Sequence, residues 1–346
     1  MSRRRVPLLL QLIGVIAWFV LQGASTASAA GVSALQAADA ALQTLKAAGH
    51  SHPIIDTHIH FYQPSRPGGV PWPPPPPGSD PLLYRDVLPP EYKAMAMANG
   101  ILASGVIEAS PLVEDNQWIL DLLDHDSFFP FFAGQLEIGS ADFHANLERF
   151  ARDHRFVGIR GFLWSPPAIT LDPAQLRDLR DLASRGMTLD IVSRGTTNTK
   201  DRVEALCTTV PNLRIIIDHL AGAQGLTPAP AWELSMRRLA DLCPNLYIKF
   251  SSFYDMYVVG DGNHKWTAPT DLAAYKPHFD VLMTAFGEDR LIWGSNWPVS
   301  DLGGSFSGEI RLAEEYLAPL GQVVRDKVMF RNALLFYRRH VEHDED

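Results

Sequence analysis

Cysteine is scarce in this chain: among 346 residues there are two, Cys207 and Cys243, at a spacing that forms neither a redox nor a metal-binding motif. Basic charge is also short, with 30 Lys and Arg against 39 Asp and Glu and a formal net charge of −9. No basic stripe offsets that acidity, which argues against nucleic acid as a partner. A Gly-rich phosphate turn is missing after the first strand-like run, which counts against an open, doubly wound nucleotide-binding sheet. At 46% hydrophobic content, what remains can bury one large core.

The N-terminus has its own logic. Arg3-Arg4-Arg5 precedes an apolar run from Val6 to about Leu21, and small residues follow to Ala27-Ser28-Ala29. That is the charged, apolar and A-x-A layout of a secretory signal peptide, predicted here over residues 1–29. The product is then periplasmic or secreted, with no stable membrane insertion; a retained membrane anchor is the alternative. Export makes a disulfide chemically possible. Nothing in the sequence sets the separation of the two cysteines, however, and buried free thiols are the expectation.

From Ile54 onward, strand-like runs alternate with segments of helical period. The strands are expected at Ile54–His60, Gly105–Ala109, Phe131–Leu136, Val157–Trp164, Met187–Val192, Leu213–His219, Leu246–Phe250 and Leu291–Asn296. Helices are expected between them, among them Glu91–Leu102 and Pro173–Arg185, the latter opened by an Asp172 N-cap and a proline at the first helical position. Eight such units predict a single-domain closed parallel (β/α)₈ barrel, a TIM barrel, over residues 51–340. Ala-rich residues 30–50 form a short helix or linker before it, and residues 341–346 are too polar to pack and are expected to be disordered. After the first strand comes an insertion with Trp72 and a proline run, Pro73–Pro77, of polyproline character, placed where Trp72 can cap a pocket.

Barrel enzymes carry their working groups at the C-terminal ends of strands. Strand one ends in His58-Ile59-His60, and strand pleating predicts Asp56, His58 and His60 on one face. Two imidazoles so spaced can hold a divalent metal; hydrogen-bonded histidines are the plain alternative. Arg160 lies on strand four, Arg194 after strand five, Asp218-His219 at the end of strand six, Lys249 on strand seven and Asn296-Trp297 at the end of strand eight. Arg160 and Lys249 can bind a substrate carboxylate or a developing anion, or else form salt bridges within the barrel. Ser252–Thr270, with Tyr254 and Trp266, reads as a specificity lid.

The segments Ile55–His60, Val157–Gly161, Ile217–Gly222, Tyr247–Ser251 and Arg290–Val299, in that order, resemble the amidohydrolase superfamily, in its lactonase-like branch with fuconolactonase and pyrone-dicarboxylate lactonase. The resemblance implies a hydrolase that opens a sugar or aromatic-derived lactone by water attack, acting on a small molecule. It implies metal ligation by His58, His60 and His219, with zinc or manganese as the ion, or a metal-free histidine rim. His219, Asn296 and Asp218 are the implied catalytic residues, and Arg160, Lys249, Arg194 and Trp297 the substrate-binding ones. Many relatives have aspartate where Asn296 stands, and an amide cannot serve as a general base. His219, Asp218 or Asp301 would then take that role. Non-oxidative decarboxylation and a non-catalytic binding protein are the other readings.

Overall fold

The computed structural model describes residues 29–161, 171–192 and 197–339. The apolar N-terminal run, Trp164, Arg194 and the polar tail 341–346 lie outside the described residues. Among the described residues no helix is long and apolar enough to cross a membrane.

Eight strands make one sheet in chain order: β1 Ile54–Ile59, β2 Ile101–Ile107, β3 Phe131–Gly134, β4 Phe156–Gly161, β5 Thr188–Ile191, β6 Arg214–Ile217, β7 Leu246–Ser251 and β8 Leu291–Gly294. Every hydrogen-bonded pair of neighbours is parallel. The runs are rich in Ile, Val and Phe because both faces are covered, helices on one side and a packed lumen on the other. Between β8 and β1 the Asn296 N–H donates to His58 O at 2.8 Å, and the His60 N–H donates to Trp297 O at 3.0 Å. The Thr57 hydroxyl adds a bond to Trp293 O at 2.7 Å. These contacts bring the sheet round into a nearly closed (β/α)₈ barrel.

The longer helices are α1 Ala29–Ala47, α2 Pro89–Ala98, α3 Asp115–Leu122, α4 Phe143–Ala151, α5 Pro173–Ser184, α6 Thr197–Thr209, α7 Pro230–Leu242, α8 Lys276–Phe286 and α9 Phe306–Leu317. At α5 the side chain of Asp172 accepts the Gln175 N–H at 2.9 Å and the Gln175 side chain answers at the Asp172 N–H, a full capping box. α2 ends at Ala98, short of the Leu102 expected from periodicity. Gly100, at φ +82°, turns the chain, and Ile101 already pairs with β1. Apolar residues continue across the join, so periodicity alone could not find the break.

The N-terminal end of the barrel is sealed. Ala34, Ala38, Leu42 and Leu45 of α1 pack with the strand residues Ile55, Val157, Ile216 and Ile292 and with Phe330, Leu334 and Tyr337. The Ala-rich segment is thus a plug, not a linker: small residues let the helix come close to the barrel floor. Cys207 in α6 and Cys243 at the end of α7 form a disulfide, with Cα atoms 5.5 Å apart, which corrects the expectation of free thiols. The two helices pack side by side around the barrel, a proximity that a separation of 36 residues does not reveal.

Candidate active site

A register shift in the β1–β2 pairing between Asp56 and Ile59 breaks the simple pleat. Asp56 therefore does not share a face with the histidines. It accepts the Tyr92 hydroxyl of α2 at 2.9 Å, the Ser295 hydroxyl at 2.6 Å and the Ser295 N–H at 2.8 Å. Burial pushes its carboxyl up to about 6, against the pull of those donors. Asp56 is a staple between β1, β8 and α2. His58, past the bulge, turns toward Asp218 at the end of β6. β8 passes so close that a Cβ on Gly294 would stand 2.9 Å from the Cβ of His58, so this position needs glycine.

His58, His60 and His219 meet in one group. The His58 ring centre is 4.9 Å from that of His60 and 4.5 Å from that of His219. His219 opens a turn in which His219, Leu220 and Ala221 all have positive φ, of 54°, 51° and 52°. Left-handed backbone costs about 1–2 kcal/mol per non-glycine residue. The buried Leu220 and Ala221 hold the turn, and the Trp232 indole of α7 donates to Ala221 O at 3.2 Å. Burial lowers the His60 and His219 imidazoles to about 3, and lowers His58 well below its ordinary value. All three are neutral and offer lone pairs.

Asp218 is the charged centre of the group. Lys249 Nζ lies 3.3 Å away, Arg160 Nε 3.4 Å and His58 Nδ1 3.5 Å. Burial alone would raise its carboxyl; Lys249, His58 and His219 outweigh that and hold it well below the usual range. Lys249 lies deep in the lumen. It donates to Asp190 Oδ2 at 2.6 Å, and Tyr337, rising from the floor, donates to the same oxygen at 2.7 Å. Arg160 donates from Nη1 to the Glu108 carbonyl at 3.0 Å. Arg160 and Lys249, the two described cations expected to bind substrate, thus both face carboxylates of the barrel itself.

One ligand atom each from His58, Asp218 and His219 lies within 4.8 Å of the others. Both ring nitrogens of His58 and both carboxylate oxygens of Asp218 are buried without a hydrogen-bond partner among the described residues. Buried polar atoms are costly when unpaired, so this donor set fits a divalent cation. The grouping differs from the set expected from sequence, with Asp218 beside His58 and His219. His60 lies next to it: its Nδ1 donates to Ile107 O at 3.0 Å, which leaves the lone pair on Nε2, 3.2 Å from Asn296 Oδ1. Asn296, at φ 61°, also donates to the Ser252 hydroxyl at 2.7 Å.

The family model described as "Amidohydrolase" matches residues 55–339, nearly the whole barrel. The chain belongs to the amidohydrolase family. An L-fucono-1,5-lactonase of Burkholderia ambifaria is 30% identical over 298 residues, covering 82% of this chain and 95% of the relative. In structure, the amidohydrolase resembles one from Burkholderia multivorans with bound zinc, at a TM-score of 0.70 and 24% identity, over 82% of this chain and 98% of that one. A second likeness is to a 2-pyrone-4,6-dicarboxylic acid hydrolase, so described as putative, from Pseudomonas putida, at a TM-score of 0.60 and 20% identity, over 82% and 97% of the two chains.

Two insertions roof the amidohydrolase barrel. After β1, Trp72 packs on Tyr62 and His60, with ring centres 5.4 and 6.0 Å apart. The proline run turns back on itself, Gly78 N–H bonding to Pro75 O at 2.9 Å, instead of running out straight. It meets the insertion after β7 through Asp80 N–H to Asn263 O at 2.8 Å and His264 Nε2 to Pro77 O at 3.0 Å. Tyr254 and Trp266 of that second insertion are spent on packing, the Trp266 indole donating to Tyr254 O at 2.9 Å. Trp297 is buried against Tyr92, 5.2 Å between ring centres, and its indole donates to Asp301, which also accepts the Phe306 N–H.

Sequence reasoning passed over Glu108, Asp190 and Ser252. Glu108 follows the last residue of β2, buried, and burial raises its carboxyl to about 7. The strand-end rule could have found it had β2 been placed at Ile101–Ile107. Ser252, just past the end of β7, carries the same signal, whereas Asp190, inside β5, has none, since it is defined by partners far away in sequence.

Proposed function

We propose that this amidohydrolase hydrolyses lactones, opening a cyclic ester by water attack at the His58–Asp218–His219 group. The observation that carries the reading is that His58, Asp218 and His219 bring ligand atoms within 4.8 Å of one another at the C-terminal mouth of the barrel, those of His58 and Asp218 with no hydrogen-bond partner among the described residues. The name of the Burkholderia ambifaria relative supports the substrate class, and the zinc bound by the Burkholderia multivorans structure supports a metal. His58, Asp218 and His219 would hold it, zinc or manganese being the ions such donors suit. When bound, the ion supplies a Lewis acid for the ester carbonyl and its attacking water.

The chain's own residues then have defined tasks. Asn296 and Ser252 orient the water with an amide and a hydroxyl, neither of which removes a proton at neutral pH. Arg160, beside Asp218, steadies the negative charge that grows on the carbonyl oxygen. His219 would stay a ligand of that ion, its Nδ1 held 3.1 Å from the Ser251 hydroxyl, while the proton of the attacking water passes to the departing ring oxygen. Trp72 and the roof keep bulk water out.

The test is acid release from a panel of sugar and aromatic lactones, with and without a strong chelator. Acid release abolished by the chelator is expected. Release that persists would remove the metal from the reading, and carbon dioxide in place of acid would move the chain to decarboxylation. We further propose that the protein is exported through residues 1–29. The disulfide supports this, because such bonds persist in oxidising compartments. N-terminal sequencing of the periplasmic product should begin near residue 30; an uncut N-terminus in the membrane fraction would favour an anchor.

A further inference from the structure

Beside the metal-binding group runs a narrow crevice that none of His58, Asp218 or His219 lines. Phe61, Tyr62, Trp118, Glu108 and Ser110 are among the residues that line it. Room is left for about one water-sized group. Most polar atoms around it are already engaged. The Tyr62 hydroxyl donates to Leu83 O at 2.7 Å, and the Asn116 side chain makes both its bonds to the Gln135 backbone, each at 2.8 Å. Arg66 pairs with Asp115 and lies over the Trp118 ring, 4.8 Å from its centre.

The Glu108 carboxyl accepts the Ser110 N–H, and its Oε1 is 3.9 Å from Arg160 Nε, too far for a hydrogen bond. A carboxyl has lone pairs beyond that one bond, so it can accept another. From the mouth down into the lumen, three carboxyls (Glu108, Asp190 and Asp218) face two cations (Arg160 and Lys249) among the described residues. An anion entering there meets more carboxyls than cations. A small group that donates a hydrogen bond finds an acceptor framed by aromatic walls.

We propose that Glu108 is a specificity-determining residue, accepting a hydrogen bond from a hydroxyl on the lactone ring and excluding a carboxylate from that position. The inference rests on the lactonase reading and narrows it to neutral, hydroxylated lactones over lactones that carry acid groups. The burial that holds Glu108 also makes a missing partner costly, which is how a buried acceptor gains discrimination.

The experiment compares the full-length, metal-loaded protein with its Glu108→Gln and Glu108→Ala variants. Three substrates are used: a neutral aldonolactone, the same lactone lacking one ring hydroxyl, and a lactone carboxylate. Calorimetric binding of the aldonolactone's lactam analogue, with and without that hydroxyl, is measured in parallel. In the wild type, removal of the hydroxyl raises KM about tenfold, and in Glu108→Ala that difference vanishes while kcat stays within about twofold. Both variants gain on the carboxylate substrate. Equal KM values for the two neutral lactones in the wild type overturn the proposal. So does a fall in kcat at unchanged KM in the variants, which would make Glu108 part of the chemistry. Wild-type protein that opens no lactone, yet binds the hydroxylated lactam in a Glu108-dependent way, would overturn the hydrolytic reading and leave this one standing. Lactam binding indifferent to Glu108 would overturn this one whether or not lactones are opened.

Discussion

At the scale of single residues, the site is a balance of burial against charge. Asp218 stays ionised because Lys249 and two imidazoles outweigh its desolvation. Asp218→Asn removes that charge and a ligand; metal affinity, read by chelator competition, is expected to fall at least about 100-fold, with kcat/KM following. Asp56 is held the other way. Its folded carboxyl stands at about 6 against an ordinary 3.8, so protonation favours the folded state. The stability it lends is complete below pH about 3.8 and is lost as pH rises through about 6, a loss of about 3 kcal/mol. Asp56→Asn has no such titration. The stability difference between wild type and variant, from urea unfolding at a series of pH values, should therefore move by about that amount across this window. A difference that stays flat would mean Asp56 is not buried as described.

At the scale of elements, the bulge in β1 and the left-handed turn after β6 matter most, because they aim the histidines. Gly294 is the counterpart of the bulge. Gly294→Ala places a methyl 2.9 Å from the Cβ of His58 and 3.0 Å from its backbone nitrogen. The barrel should still form, as judged by circular dichroism, while metal affinity drops about tenfold or more; unchanged affinity would show that His58 is not a ligand. The Cys207–Cys243 bridge joins α6 to α7 across 36 residues of chain. Cys207→Ser together with Cys243→Ser is expected to lower stability by about 2–4 kcal/mol in thermal unfolding, and reductant should then have no further effect. Strand order was readable in advance because each run is apolar and bounded, whereas the β1 bulge was not, since a register shift depends on the partner strand.

At the scale of the molecule, one end of the barrel is closed for stability and the other opened for chemistry. α1 and Tyr337 fill the floor, with Tyr337 stacked on Phe131 at 4.2 Å between ring centres. Leu42→Ala and Leu45→Ala, both in α1, should each cost about 2–5 kcal/mol in denaturant unfolding while leaving KM unchanged; a change below about 0.5 kcal/mol would show that α1 is not seated on the floor. The roof at the other end is made from the two longest insertions, the segments between β1 and α2 and between β7 and α8.

The barrel, its strand order and the histidines at the strand ends follow from the order of residues along the chain, because apolar periodicity and chain order are local properties. His58, His60, Asp218 and Asn296 were legible for the same reason: each sits where a strand stops. Tertiary structure alone decided that Asp56 serves as a staple, that Lys249 serves Asp190 and Asp218, that the two cysteines join, and that Glu108 lines a crevice. Each of those outcomes depends on burial and on a partner tens to hundreds of residues away, and neither is written in the neighbouring sequence.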